Sequence, residues 1–407
     1  MVTANIVNKS HARQRGLPTL LSATIAGMLL AIPMLAQAEI EGVPLHGFLD
    51  VGYSIHSKDS TTPALPGLPN GFNVGSLDIY LTPQFEGNVK TLIELIFENT
   101  PEGSLATDLE RAQIGYTFSD AATMWAGRFH TPYGYWNTAY HHGAQMQTSV
   151  VRPRFLDFED KGGILPAHMV GLWATGKIRA GGGRFTYDAY AGNGPRISMG
   201  QDPVDPTNPT LSVPQSLGVI DIQTAGDNNH QAMVGFNLGY EFGGFADGLR
   251  LALFGLRGDV DDDSNGTLPS TLPPINNKTE VNMGGVAVVY LEHDWEIMGE
   301  YYNFNDTDKS GGTGSHSSWA DYLQIGMNFS GLTPYVRVEK TVLDQADMYF
   351  AMQDNGQSYF RQSLGLKYDL NQKAALKFEL LNSKFADEPG RVPYEYRSFL
   401  AQFAVRF

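Results

Sequence analysis

The 407-residue sequence contains no cysteine. That absence excludes structural disulfides, thiolate-held metals and cysteine nucleophiles, so any chemistry must come from His, Asp, Glu, Ser or Lys. Basic residues are scarce as well. The chain has 28 Lys and Arg against 43 Asp and Glu, a formal net charge of -15, which disfavours nucleic acid as a partner. Beyond residue 38 no stretch approaches the roughly 20 apolar residues of a spanning helix, and the apolar period of amphipathic helices is almost missing. HExxH, GxSxG, GxxxxGKS/T and a helix-opening GxGxxG are all missing, and these are the patterns that would hold zinc, a nucleophile or phosphate. No catalytic residue, metal ligand or cofactor is expected, and the chain is not expected to be an enzyme.

The N-terminus is informative by what it does contain. Lys9, Arg13 and Arg15 precede an apolar run over 17–35 that closes on Ala36-Gln37-Ala38. This reads as a secretory signal peptide over 1–38, cut after Ala38, and Pro18 and Pro33 argue against a membrane anchor. The mature chain, 39–407, then carries 25 basic residues, 28 minus those 3, against the same 43 acids, or −18.

From there on, apolar residues alternate with polar or small ones in segments of about ten residues, the pattern of a membrane β-barrel. In LDIYLTPQF, Leu77, Ile79, Leu81 and Phe85 share one face, and Asp78, Tyr80 and Thr82 share the other. In RAQIGYTF, Ala112, Ile114, Tyr116 and Phe118 oppose Arg111, Gln113 and Thr117. Sixteen such strands are expected, centred near Val51, Ile79, Leu95, Ile114, Ala126, Leu172, Tyr187, Phe236, Leu253, Val286, Met298, Leu323, Val336, Leu364, Phe378 and Phe403. Short turns alternate with long polar loops near 56–72, 99–107, 130–167, 192–230, 259–278, 304–317, 344–357 and 383–394. An even count with alternating connection lengths fits a closed all-β transmembrane antiparallel barrel, in which every backbone group is paired inside lipid. Aromatic girdles are expected at Trp295, Tyr301, Tyr302, Trp319 and Tyr394 to Tyr396.

The closing strand SFLAQFAVRF ends on Phe407. Here the sequence resembles bacterial outer-membrane porins, whose final aromatic residue is recognised by the barrel-assembly machinery. The passage GRFHTPYGYWNTAYHHGAQMQTSVVRPRFLDFEDKGGILPAHMVGLWATG, residues 127–176, is similar to the phosphate-selective-porin-like family, and LERAQIGYTF before it is a secondary match. The resemblance covers the whole mature barrel loosely. It implies a bacterial outer-membrane homotrimer, in contact with lipid and lipopolysaccharide, that passes small hydrophilic solutes or ions down their gradient. It also implies that the third long loop, 130–167, folds inward as a constriction.

That loop carries the candidate site. Arg152, Arg154, Asp157, Glu159, Asp160 and Lys161 place opposite charges at the expected narrowest point, either as a transverse field that selects charge or as salt bridges that hold the loop. Tyr135, Trp136, His141 and His142 are expected to anchor it. The adjacent histidines diverge on an extended chain and do not share a metal. An inward loop is expected to hold its shape without an apolar core of its own, pinned by such aromatics and by Pro132 and Pro153. Lining charges are expected at Arg111, Arg128, Glu94, Arg184, Asp188, Arg337 and Glu339, among other residues of both signs. This mixture departs from a basic ladder, so the resemblance supports the channel and leaves phosphate open as a solute. A non-conducting barrel serving adhesion or ligand binding is the alternative. The half-match to a calcium loop at Asp261, Asp263, Asn265 and Gly266 has Leu272 at its twelfth place and reads as a solvated acidic loop.

Overall fold

The structure is a computed structural model. It describes residues 43–407 apart from 59–69, 84, 100–104, 141–142, 158–162, 199–218, 223–228, 262–277 and 354. The signal peptide, His141 and His142, Glu159 to Lys161 and most of the calcium-like half-match lie outside the described residues.

Sixteen antiparallel strands close into one barrel. In chain order they begin with β1 (Leu45–Lys58), β2 (Gly71–Leu81), β3 (Val89–Asn99), β4 (Leu105–Ser119), β5 (Ala122–His130), β6 (His168–Ala180) and β7 (Gly183–Asn193). A separate two-stranded sheet follows, β8 (Arg196–Ser198) with β9 (Val219–Asp221). The wall resumes with β10 (Met233–Glu241), β11 (Leu249–Asp261), β12 (Lys278–Glu292), β13 (Trp295–Asp308) and β14 (Ser315–Met327). It ends with β15 (Leu332–Val342), β16 (Tyr359–Asn371), β17 (Ala374–Phe385) and β18 (Glu395–Arg406). Each expected centre falls inside one barrel strand.

The alternation works as a sorting rule. Ile114, Leu172, Leu253, Leu364 and Leu380 are exposed on the outside, while Gln113, Glu339, Ser363 and Glu379 are buried on the inside. Two expected loops are shorter than their composition suggested: β4 already starts at Leu105 and β13 runs on to Asp308. Polar rim residues continue the ladder there, and Asp306 accepts from the Asn282 N–H at 2.8 Å.

On β11 to β13 much of the inside is apolar too, with Phe254, Leu256, Met283, Val289, Met298, Tyr302 and Phe304 all buried. The aromatic belt is corrected accordingly. Trp295 and Tyr301 are exposed, but Tyr302 is fully buried and Tyr396 is buried in a stack on Phe385, with centroids 6.1 Å apart.

Closure depends on a close approach. β1 pairs with β18 from Phe48↔Arg406 to Lys58↔Tyr396, and Gly47 and Phe407 exchange backbone hydrogen bonds of 3.3 and 3.0 Å. A Cβ at Gly47 would lie 2.4 Å from Phe407 Cζ and 2.5 Å from the Asp78 carbonyl. The ring can move, but the carbonyl belongs to the β2 ladder. Gly47→Val should therefore destabilise the seam by about 1–3 kcal/mol, the usual cost of overpacking. A lower urea midpoint for the folded barrel would show it; an unchanged midpoint would mean that the seam has slack.

Candidate functional site

Between β5 and β6 the chain runs for 37 residues, 131–167, and its described part is tied to strands far around the wall. The first tie is at α1 (Trp136–Tyr140), a single helical turn. Glu300 on β13 accepts from the backbone N–H of Tyr135 at 3.0 Å and of Trp136 at 2.8 Å. It also accepts from the hydroxyls of Tyr302 at 2.8 Å and Tyr322 at 2.6 Å. A carboxylate is suited to this end of a helix, where N–H groups lack intrahelical partners. Gly134 is required beside it: its φ is +64°, and a Cβ there would lie 2.2 Å from Glu300 Oε2 and 2.3 Å from the Tyr302 hydroxyl.

A second tie sits on β15 and β17. Glu379 Oε2 accepts from the N–H groups of Val150 and Val151 at 2.9 and 3.1 Å. Glu339 Oε2 accepts from the Arg154 N–H at 2.7 Å and the Tyr359 hydroxyl at 3.1 Å. Arg337 lies between the two acids and donates to Glu339 Oε1 at 2.9 Å and Glu379 Oε1 at 3.3 Å. It also donates to Gln324 Oε1 at 3.1 Å and to the carbonyls of Val151 at 3.0 Å and Arg152 at 3.4 Å. Five guanidinium N–H donors thus meet five acceptors, the full capacity of the group. Lys377 donates to the carbonyls of Ala144 and Ser149, and Thr148 to Glu296 at 2.5 Å.

Buried ions of this kind are weak evidence for net stability, because desolvation offsets most of the attraction. They are strong evidence for position, because each acceptor must be met by a specific donor. An apolar cluster backs them: Phe129, Tyr133, Trp136, Phe155, Leu156, Ile164 and Leu165 are buried together with Phe254, Tyr302, Phe304 and Tyr322. The expectation of a loop without an apolar core is thereby corrected, since the apolar inner faces of β11 to β13 supply the other half of that core. Burial pushes the phenols of Tyr133, Tyr135 and Tyr140 above their ordinary range, which keeps them neutral.

The expected site residues divide by environment. Trp136 is fully buried, its ring 5.5 Å from Tyr322 and 5.7 Å from the Arg337 guanidinium. Tyr135 meets Tyr140 at 5.9 Å and lies under Arg250 at 5.3 Å. Arg154 reaches Asn355 Oδ1 at 3.0 Å and covers the Phe385 ring at 4.9 Å, while Arg152 and Asp157 are half-buried on the same stretch. Arg337 and Glu339, expected as lining charges, are buried against the segment instead.

Glu94 is also fully buried and pairs with Arg111, whose guanidinium lies 5.4 Å from the Tyr80 ring. Arg128, expected as a lining charge, instead shares the outward set with Ala112 and the exposed Val170, and its Nε donates to the Glu110 carbonyl of β4 at 3.1 Å. Arg184 is exposed and pairs with Glu241, and Asp188 accepts from Trp173 Nε1 at 3.0 Å. Near Arg184 an open cavity of about 800 Å³ is lined by Tyr135, Arg179, Arg184, Arg250, Glu241 and Glu292, a mixture of both signs. Sequence reasoning missed Glu300 and Glu296. Both stand on the same alternate set as Met298 and Tyr302, but reading Tyr301-Tyr302 as an interfacial pair hid the assignment.

By sequence, no family model and no curated protein matches the chain. By structure, the anion-selective porin from Comamonas acidovorans aligns with a TM-score of 0.57 at 12% identity, covering 90% of this chain and 99% of that one. OmpT, an outer membrane protein of Vibrio cholerae solved in a trimer form, gives 0.54 at 12% identity over 90% and 99%. The outer membrane channel DcaP of Acinetobacter baumannii gives 0.51 at 11% identity over 90% and 97%. At these identities the likeness is one of fold, and the chain is a porin-like sixteen-stranded barrel.

Proposed function

We propose that this protein is an outer-membrane channel through which small hydrophilic solutes or ions diffuse passively. One observation carries the reading: a closed wall, apolar on its outside, holds the 131–167 segment by that segment's own backbone through Glu300, Glu339 and Glu379. An apolar exterior suits hydrocarbon, and a segment so fixed acts as an inward constriction that sets the bore. The porin-like neighbours, one of them trimeric, support placement in the outer membrane as a homotrimer. The mixed-sign cavity beside Arg184 favours small dipolar solutes over a strict anion or phosphate path. Single-channel recording in planar bilayers tests the channel: discrete steps are expected, and a correctly folded barrel without current would refute it.

The apolar packing of the segment against β11 to β13 favours a second reading, a non-conducting barrel for ligand binding or adhesion, and the same recording separates the two. Within the channel reading, replacing Arg152 and Arg154 together by alanine removes two positive charges from the constriction. The reversal potential under a salt gradient should move toward cation preference. If it does not move, both arginines only hold the segment in place.

A further inference from the structure

Where β5 ends and β6 begins, His130 and His168 face each other in register, with ring centroids 5.2 Å apart. They are the residues that flank the 131–167 segment. A third donor reaches them through an irregularity of the wall. The pairing of β3 with β4 passes from Glu94↔Arg111 to Leu95↔Leu109, so Glu110 is the extra residue of a bulge. Bulges re-aim a side chain out of the simple alternation, and here the result is that Glu110 Oε2 lies 2.5 Å from His168 Nε2 and 3.9 Å from His130 Nε2. Among the described residues this is the one group of three His or acidic donors with all ligand atoms within 4.8 Å of one another.

We propose that Glu110, His130 and His168 bind one divalent transition-metal ion of the zinc type, which joins both ends of the segment to β4. The donor set fits: two imidazoles and a carboxylate, with positions left for water, are a recurrent ligand set for such ions. The spacing is within reach of small side-chain shifts. Tetrahedral ligands at metal distances near 2.1 Å stand about 3.4 Å from one another, so an ion would open the 2.5 Å contact of Glu110 with His168 and close the 3.9 Å one with His130. Charge fits too, since the Glu110 carboxylate faces both imidazoles, and Glu94, 3.5 Å from His130, pairs with Arg111. Glu110 and His168 are buried, so the ion enters past His130, whose side chain keeps 10% exposure. The rival occupant is a proton shared between Glu110 and His168, which needs no metal.

The test uses the full chain folded in detergent, stripped with a chelator and then equilibrated with zinc chloride in excess magnesium, which fills acidic surface sites. Wild type should retain one zinc per chain after gel filtration. Glu110→Gln and His168→Gln should each bind at least tenfold more weakly, with unchanged circular dichroism and heat-modifiable migration. His293→Gln, in an exposed turn, should bind as wild type does. If either buried variant fails to assemble, His130→Gln at the more accessible ring gives the same readout. Cobalt in place of zinc should show visible absorption that these variants lose. Absence of stoichiometric zinc in wild type, or retention unaffected by Glu110→Gln and His130→Gln, would overturn the site in favour of the shared proton. The outcome does not depend on whether the barrel conducts.

Discussion

Arg337→Met should unseat the 150–154 stretch and lower barrel stability by about 3–5 kcal/mol, the range seen when one partner of a buried ion network is removed. Arg337 bonds both carboxylates of this tie, and it also bonds the carbonyls of Val151 and Arg152. Without it, Glu339 and Glu379 lose the guanidinium that bonds both of them, and the carbonyls of Val151 and Arg152 lose their donor at the same moment. Two readouts follow: a lower urea midpoint in detergent, and, under the proposed channel function, larger or noisier single-channel conductance as the segment swings free. Arg337→Lys should rescue little, because an ammonium has three donors and no planar fork for five acceptors. Adding Glu339→Gln and Glu379→Gln to Arg337→Met should recover part of the loss, because the two acids that Arg337 bridged are then neutral. A midpoint and conductance equal to wild type in Arg337→Met would show that the apolar cluster alone seats the segment.

How much of this could be read in the sequence depends on which physical rule dominates at each residue. Strand positions such as Leu172, Leu253 and Val336 were legible because a closed wall between two media forces a period of two. The number of strands and the alternation of short and long connections follow from the same rule. Arg337 and Glu339 were legible as inward residues, but their role was not, because alternation assigns a face and says nothing about what covers it. A wall charge facing water and a wall charge facing the backbone of a distant segment have the same pattern. Tyr302 and Phe254 were hidden for the opposite reason. The inner faces of β11 to β13 carry apolar residues such as Phe254, Met283 and Tyr302 as the outer faces do, so the period fades where the wall packs against the segment. Glu110 was beyond sequence reasoning altogether, since a one-residue bulge leaves no mark on the apolar pattern that predicts the strand.

The ties also bear on how a long non-repetitive segment keeps its shape. The described part of the segment has short helical turns only, and several of its carbonyl and N–H groups are met by wall side chains from β13, β15 and β17. A wall that supplies the missing partners of a non-repetitive backbone does for it what a sheet neighbour does for a strand. This predicts a segment that is rigid as long as its anchors are intact and that fails in blocks, since each carboxylate serves two or more donors at once.

Glu300→Gln tests this block behaviour at the other tie. The carboxylate accepts from four donors, the N–H groups of Tyr135 and Trp136 and the hydroxyls of Tyr302 and Tyr322. An amide of the same shape keeps one acceptor oxygen and turns its NH₂ toward the remaining donors. At least two buried donors lose their partner, at about 1–3 kcal/mol each, so a loss of roughly 2–6 kcal/mol is expected in the urea midpoint. α1 should become accessible to protease while the strands keep their circular dichroism. Combined with Arg337→Met, the losses should not add, because Trp136 is bonded to Glu300 through its N–H and lies 5.7 Å from the Arg337 guanidinium through its ring. Groups that share a partner typically couple by about 0.5–3 kcal/mol, so the double variant should lose less than the sum by that amount. Strict additivity would mean that the two ties hold independent pieces of the segment and that Trp136 does not connect them.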